Sequence, residues 1–161
     1  MNIEADTLKQ IANSVISKLK SVSEDELKDI LQINDYHGFL KSRISESFLM
    51  EVFSPSQLTS RDVQIEIVKV ETDLSKEIHF HENSYAYVIC LGKEHNLEDP
   101  RNAKAFLKNS WFPVRVGDVI KIPPKTLHGF TVENGGILTF LSVQAPPIEQ
   151  FGIDDYHKID I

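Results

Sequence analysis

Three of the six histidines stand where they can act together. His79 and His81 flank Phe80 in the stretch KEIHFHENSYAYVICLG, residues 76–92. In a β-strand the side chains of residues i and i+2 leave the same face, so both imidazoles point the same way. Neutral imidazole is the commonest metal-ligating side chain, and two in parallel make half of a metal site. A third ligand has to come from elsewhere, and His128, in IPPKTLHGF (residues 122–130), is the candidate. A divalent ion held there would supply Lewis acidity or, with iron, chemistry on O2. No glycine-rich phosphate loop and no Ser/His/Asp arrangement competes with this reading.

Strands must position these groups. From Arg61 the hydrophobic period becomes two: Val63, Ile65 and Ile67 alternate with Gln64 and Glu66, which reads as a strand. A turn over residues 71–75 leads to the histidine strand, and residues 85–91 form the next. Residues 93–110 read as a long polar insertion with one short helix over 103–107. Strands follow over 111–116 and 119–122, separated by the Gly117-Asp118 turn and ended by Pro123-Pro124. Strands over 128–133 and 137–144 flank Asn134-Gly135-Gly136, a strong hairpin signal. The tail closes as an edge strand over 156–161. Roughly eight short strands with regular turn signals imply an antiparallel sandwich or barrel.

The N-terminal third reads differently. Leu8, Ile11, Val15 and Leu19 recur at helical spacing, and residues 1–33 are expected to be helical. Thr7 with Gln10 and Ser23 with Glu26 are expected capping boxes. Residues 39–53 fit either a helix or a strand. The loop SPSQLTS, residues 54–60, is the expected boundary between a helical extension (residues 1–53) and a β-barrel domain (residues 54–161). The extension carries no group suited to chemistry, so packing or dimerisation is its expected role, with a lid or partner-binding helix as the alternative.

Composition narrows the class. The 161 residues suit one domain with a small appendage. A net charge of −7 without a Lys/Arg cluster argues against nucleic acid or an anionic membrane as partner. Cys90 is the single cysteine, so an internal disulfide is impossible and a reducing compartment is expected. The polar, acidic N-terminus has no signal-peptide pattern, and no apolar run reaches the length of a membrane span. A cytoplasmic protein is expected.

At this point the sequence resembles the cupins, small double-stranded β-helix (jelly-roll) barrels. The first cupin motif, roughly G-x5-H-x-H-x3-E-x6-G, is matched by Asp73, His79, His81, Tyr85 and Gly92. The second, roughly G-x5-P-x-G-x2-H, is matched by Gly117, Pro123, Lys125 and His128. The ending LTFLSVQAPPI, residues 138–148, resembles the last barrel strand and its Pro-Pro exit. The resemblance covers about residues 60–150 and implies a mainly β cupin barrel behind the N-terminal helical extension. It places metal ligands at His79, His81 and His128 and puts Tyr85 where the motif has glutamate. The neutral three-His face that results is known among thiol and diketone dioxygenases of the superfamily. Glu82 is expected to face outward. Asp73 and Lys125 replace motif glycines, and the Lys125 turn is expected to differ locally.

From the same alignment Tyr85 is the candidate catalytic residue, as acid, axial ligand or pocket wall. Tyr87, on its strand face, and Phe130, on that of His128, are expected to line the pocket. Trp111 and Phe140 are expected in the core, Cys90 as a buried small hydrophobe, and His37, His95 and His157 in structural or solvated positions. Two functions follow as expectations. One is a metalloenzyme, dioxygenase- or isomerase-like, with iron, zinc, nickel or manganese and a small, anionic or chelating substrate. The other is a non-catalytic small-molecule-binding or sensing module. The resemblance also implies a homodimer. Because cupins host many chemistries, it speaks to fold more than to reaction.

Overall fold

The structure is a computed structural model and describes residues 5–36, 39–44, 63–150 and 153–159. Helix α1, Ala5–Leu19, forms as its periodicity demands: Leu8, Ile11, Ala12, Val15 and Leu19 are all buried. Asp6 near its start and Lys18 near its end suit the helix dipole. The helix is already under way at Ala5, so Thr7 lies inside it and is not its cap. Helix α2, Glu24–Ile30, is capped as expected: the Ser23 hydroxyl accepts the Glu26 N–H at 3.1 Å and donates to the Glu26 carboxylate at 3.2 Å.

The helical reading stops too late. Leu31–Tyr36 (β1) and Phe39–Ile44 (β2) form a β-hairpin, and β2 pairs with β3, Gln64–Val70. Part of the expected helical extension is therefore sheet, hydrogen-bonded to the barrel across the expected boundary. Leu31 and Ile33 alternate around Gln32 with period two, a short signal that the preceding helical run obscured. The loop over residues 54–60 and His37 lie outside the described residues.

The barrel continues with β4 (His79–Phe80), β5 (Tyr85–Cys90), β6 (Arg101–Leu107), β7 (Ser110–Pro113), β8 (Val119–Ile122) and β9 (His128–Ala145). After β10 (Glu149–Gln150) and β11 (Ile153–Asp154), β12 (His157–Lys158) returns to pair with β4. Ten strands share one hydrogen-bonded sheet, and every described pairing is antiparallel. No described helix is long and apolar enough to cross a membrane.

Strand β9 holds the barrel together. Its first half pairs with β4 and β6, its second with β3 and β5. The expected Asn-Gly hairpin does not form. β6 pairs on both sides of it, through Ala103↔Val132 and Arg101↔Ile137, so residues 133–136 form a bulged corner in one long strand. Asn134 (φ 49°) and Gly135 (φ 72°) take the left-handed conformation needed there. Gly136 is needed because a Cβ would stand 2.3 Å from the Arg101 carbonyl oxygen. Beyond the corner the chain comes back opposite itself, with Phe130 stacked on Phe140 at 4.2 Å. Residues 103–107, expected to be helical, belong to β6. Their alternation, with Ala103 and Ala105 buried and Lys104 between them, is that of a strand.

Two apolar clusters result. One joins α1 to the outer face of the sheet through Ile65, Ile67, Tyr87, Leu141 and Val143. The other fills the barrel with Val68, Val88, Val132, Leu138, Phe140 and their neighbours, Cys90 among them. Helix α1 thus covers the outside of the barrel.

Candidate metal centre

His79 on β4 and His128 at the start of β9 are direct cross-strand partners. His81 follows His79 by two residues, on the same face. The three ring centroids lie 4.2, 4.8 and 5.0 Å apart. One nitrogen from each falls within 4.8 Å of the others, and all three residues are buried. Among the described residues no Asp or Glu joins this group.

The outer ring nitrogens fix the tautomers. His79 Nδ1 bonds the Glu77 carbonyl at 3.1 Å, His81 Nδ1 the Asp155 carbonyl at 2.6 Å, and His128 Nδ1 the Thr126 carbonyl at 2.9 Å. A carbonyl oxygen only accepts, so each Nδ1 carries a proton, and each ring in its neutral form presents an Nε2 lone pair. Backbone carbonyls behind metal-binding imidazoles orient rings in this way. Burial, followed by the neighbouring His81, pushes His128 down to about 3, so it is neutral at ordinary pH. Three uncharged nitrogen donors suit borderline ions such as zinc, nickel or iron better than calcium or magnesium. The donor set fits a metal.

The turn before His128 serves this arrangement. Lys125 occupies the position of a motif glycine and adopts φ 65°, the left-handed conformation that glycine favours, so the replacement leaves that geometry in place. Its N–H donates to the His81 carbonyl at 2.7 Å. Asp73 acts through its side chain, accepting the Ser75 N–H at 2.9 Å and the Thr131 hydroxyl at 3.2 Å.

The C-terminal segment also builds the site. The Asp155 carboxylate accepts the N–H groups of Glu82, Asn83 and Ser84 at 2.7, 2.9 and 3.2 Å, which fixes the chain just after His81. Those bonds hold the carboxyl below its ordinary value against the opposing effect of burial. Tyr156 stacks on His79 at 4.2 Å. Burial, then the negative charge of the Glu77 carboxylate, raises its phenol. Glu77 in turn pairs with Lys158 at 2.8 Å. The sequence marked this tail only as an edge strand, because its neighbours in space lie more than 70 residues away along the chain.

The histidines open on a small cavity that reaches the surface. Val68, Phe130 and Phe140 contribute its apolar part, and Glu66, Ser142 and Gln144 a polar wall. Phe130 lines it. Tyr85 and Tyr87 do not: they pack in the cluster beneath α1, and the residues of β5 facing the cavity are Ala86 and Val88. The expectation followed strand alternation across residues 82–84, but that loop interrupts the strand, and parity does not carry through a loop. The residue facing the cavity beside the motif position is thus an alanine. Glu82 is exposed, with Lys125 at 3.7 Å. His95 is buried in a single 3₁₀ turn, where its Nδ1 accepts the Gly92 N–H at 3.2 Å, and His157 is exposed beside Asp155. Trp111 is half-buried, edge-on to Phe106.

No protein-family model matches the sequence, and no curated protein does. Solved structures match in fold. Pac13, described as a nucleoside dehydratase, aligns with TM-score 0.56 at 15% identity over 83% of this chain and 88% of its own. A Streptomyces Pac13 variant with uridine aligns with TM-score 0.56 at 16% identity, covering 83% of this chain and 87% of that one. KdgF from Halomonas sp. aligns with TM-score 0.51 at 14% identity over 71% of this chain and 86% of its own. The fold is the cupin β-barrel. At these identities the likeness speaks for fold alone.

Proposed function

We propose that His79, His81 and His128 hold a divalent metal ion and that the protein is a small-molecule metalloenzyme working in the cavity beside them. The observation that carries this reading is the set of three Nδ1–H···O=C bonds, which turns three buried imidazoles so that their Nε2 atoms, when unprotonated, can serve as ligands. When bound, the ion supplies Lewis acidity or, if iron, redox chemistry. The chain's own residues supply the rest. Phe130 and Phe140 exclude water from the inner end of the cavity. Tyr156, kept protonated by burial and by Glu77, is a hydrogen-bond donor beside His79. With no carboxylate among the ligands, the charge of the ion is balanced best by an anionic or chelating substrate.

Between dioxygenation and isomerisation, we favour a reaction of the isomerase kind, by analogy with neighbours whose names give a nucleoside dehydratase and a putative sugar phosphate isomerase. Placement of α1 on the outside of the barrel, away from the cavity, supports an enzyme over a non-catalytic sensing module. A cytoplasmic homodimer completes the proposal; sedimentation of the purified protein tests the dimer.

The decisive experiment is elemental analysis after loading with iron(II), zinc, nickel or manganese. We expect about one ion per chain, lost in His79→Ala and His128→Ala. Failure of the wild-type protein to take up any of the four ions overturns the metalloenzyme reading and leaves the binding module.

A further inference from the structure

The polar wall opposite the histidines is a second place where the barrel departs from an apolar interior. Glu66 on β3 and Ser142 on β9 are cross-strand partners, as are Gln64 and Gln144. The stacking of Phe130 on Phe140 sets the two arms of β9 face to face. Two residues farther along each arm, on the same strand faces, His128 stands across the cavity from Ser142. All these residues except Gln64 line the same cavity.

The hydrogen bonds of this wall are incomplete in a specific way. Gln144 is 7% exposed. Its Nε2 donates to Ser142 Oγ at 2.8 Å, while its Oε1 is buried without a partner. A buried acceptor left unpaired costs stability, which is expected where a ligand completes the bond. Ser142 Oγ, having accepted from Gln144, keeps its own proton to donate. The wall therefore offers one acceptor and one donor side by side. A hydroxyl group matches both, whereas an ammonium has nothing to accept with. Gln64 Nε2 donates to Glu66, which anchors that carboxylate within the wall.

We propose that Gln144 and Ser142, backed by Glu66, form a second subsite that binds a hydroxyl group of a small hydroxy acid whose carboxylate lies at the histidines. The subsite depends on the metal reading only for the carboxylate end of that ligand.

Two isosteric pairs test it, each titrated by NMR. On the zinc-loaded protein, γ-hydroxybutyrate should bind about tenfold more tightly than pentanoate, the gain of a hydrogen bond to a buried acceptor. In Gln144→Met the preference for the hydroxy acid should be lost, with zinc content unchanged, and Ser142→Ala should lose part of the preference. Equal affinities in the wild type, or a preference that survives Gln144→Met, overturn the subsite. On the metal-free protein, ethylene glycol against n-propanol gives the same decision without the ion. A wild type that takes up none of the four ions while still preferring the glycol, through Gln144, removes the metal reading and keeps the subsite.

Discussion

The two faces of β3 and of the second half of β9 are both buried, yet they are built from different materials. Outward-facing Ile65, Ile67, Leu141 and Val143 are all apolar and pack beneath α1. Inward-facing Glu66, Ser142 and Gln144 are polar and just as inaccessible to solvent. Burial of apolar surface drives folding, and burial of polar groups opposes it unless they are paired. The outer face, together with Val68, Leu138 and Phe140 on the inner one, is therefore where these strands gain stability. The polar end of the inner face, with the histidines opposite it, is where buried polar side chains, the unpaired Gln144 Oε1 among them, reduce it. Alternate residues of the same strands serve the two ends.

The largest effect that can test this division is on the outer face. Leu141→Ala removes a fully buried side chain from beneath α1 and should destabilise the protein by about 2–5 kcal/mol, read by urea unfolding. Metal uptake by the fraction still folded should be unchanged. His128→Ala should do the reverse: metal uptake is lost while the metal-free protein changes little in stability at neutral pH. If both substitutions damage both properties equally, the two faces are not separable.

Acid should expose the inner face next. His128 is held near 3 in the folded chain against an ordinary value of 6.5. Between those values the unfolded chain binds a proton that the folded chain refuses, so stability is full above about 6.5 and falls as the pH drops toward 3. The melting temperature of the metal-free protein should decline over that range, and His128→Gln should flatten part of the decline. An unchanged slope in the variant would mean that His128 is not held neutral.

How far the sequence disclosed this division depended on the range of each signal. The helical spacing in residues 8–19, the Ser23 cap and the paired histidines are local patterns, and each was legible. His128 could be joined to His79 and His81 because the motif spacing brought them together. The Asn134-Gly135 corner was misread as a hairpin because the same dipeptide serves both, and the distinction lies in β6 pairing past it. The inward position of Gln144 was hidden because strands buried on both faces lose the apolar/polar alternation that marks an inside. Asp155 and Tyr156 were invisible as site residues because nothing in their neighbourhood along the chain announces a fold-back onto His79 and His81.

That fold-back predicts a moderate effect. Asp155→Ala removes the acceptor for three N–H groups just after His81 and loosens the carbonyl that orients its ring. Outer partners of metal ligands typically contribute tenfold or more to affinity, so metal binding should weaken by about tenfold in a competition titration with a chelator. Thermal stability should fall less than in Leu141→Ala. An affinity equal to that of the wild type would show that the C-terminal segment merely rests against the site.

The smallest expected effect is the sharpest on the question of which face is which. Tyr85 occupies the motif position of a metal-binding glutamate, but it packs beneath α1, where burial and then the charge of Asp6 on that helix raise its phenol. Its hydroxyl has no route to an ion on the far side of the strand, because Ala86 and Val88 are the residues of β5 that face the cavity. Tyr85→Phe should leave metal affinity within about a factor of two of the wild type, while Ala86→Glu, which places a carboxylate on the cavity side, should change it. A tenfold loss in Tyr85→Phe would put the phenol among the ligands and reverse the assignment of inner and outer faces along β5.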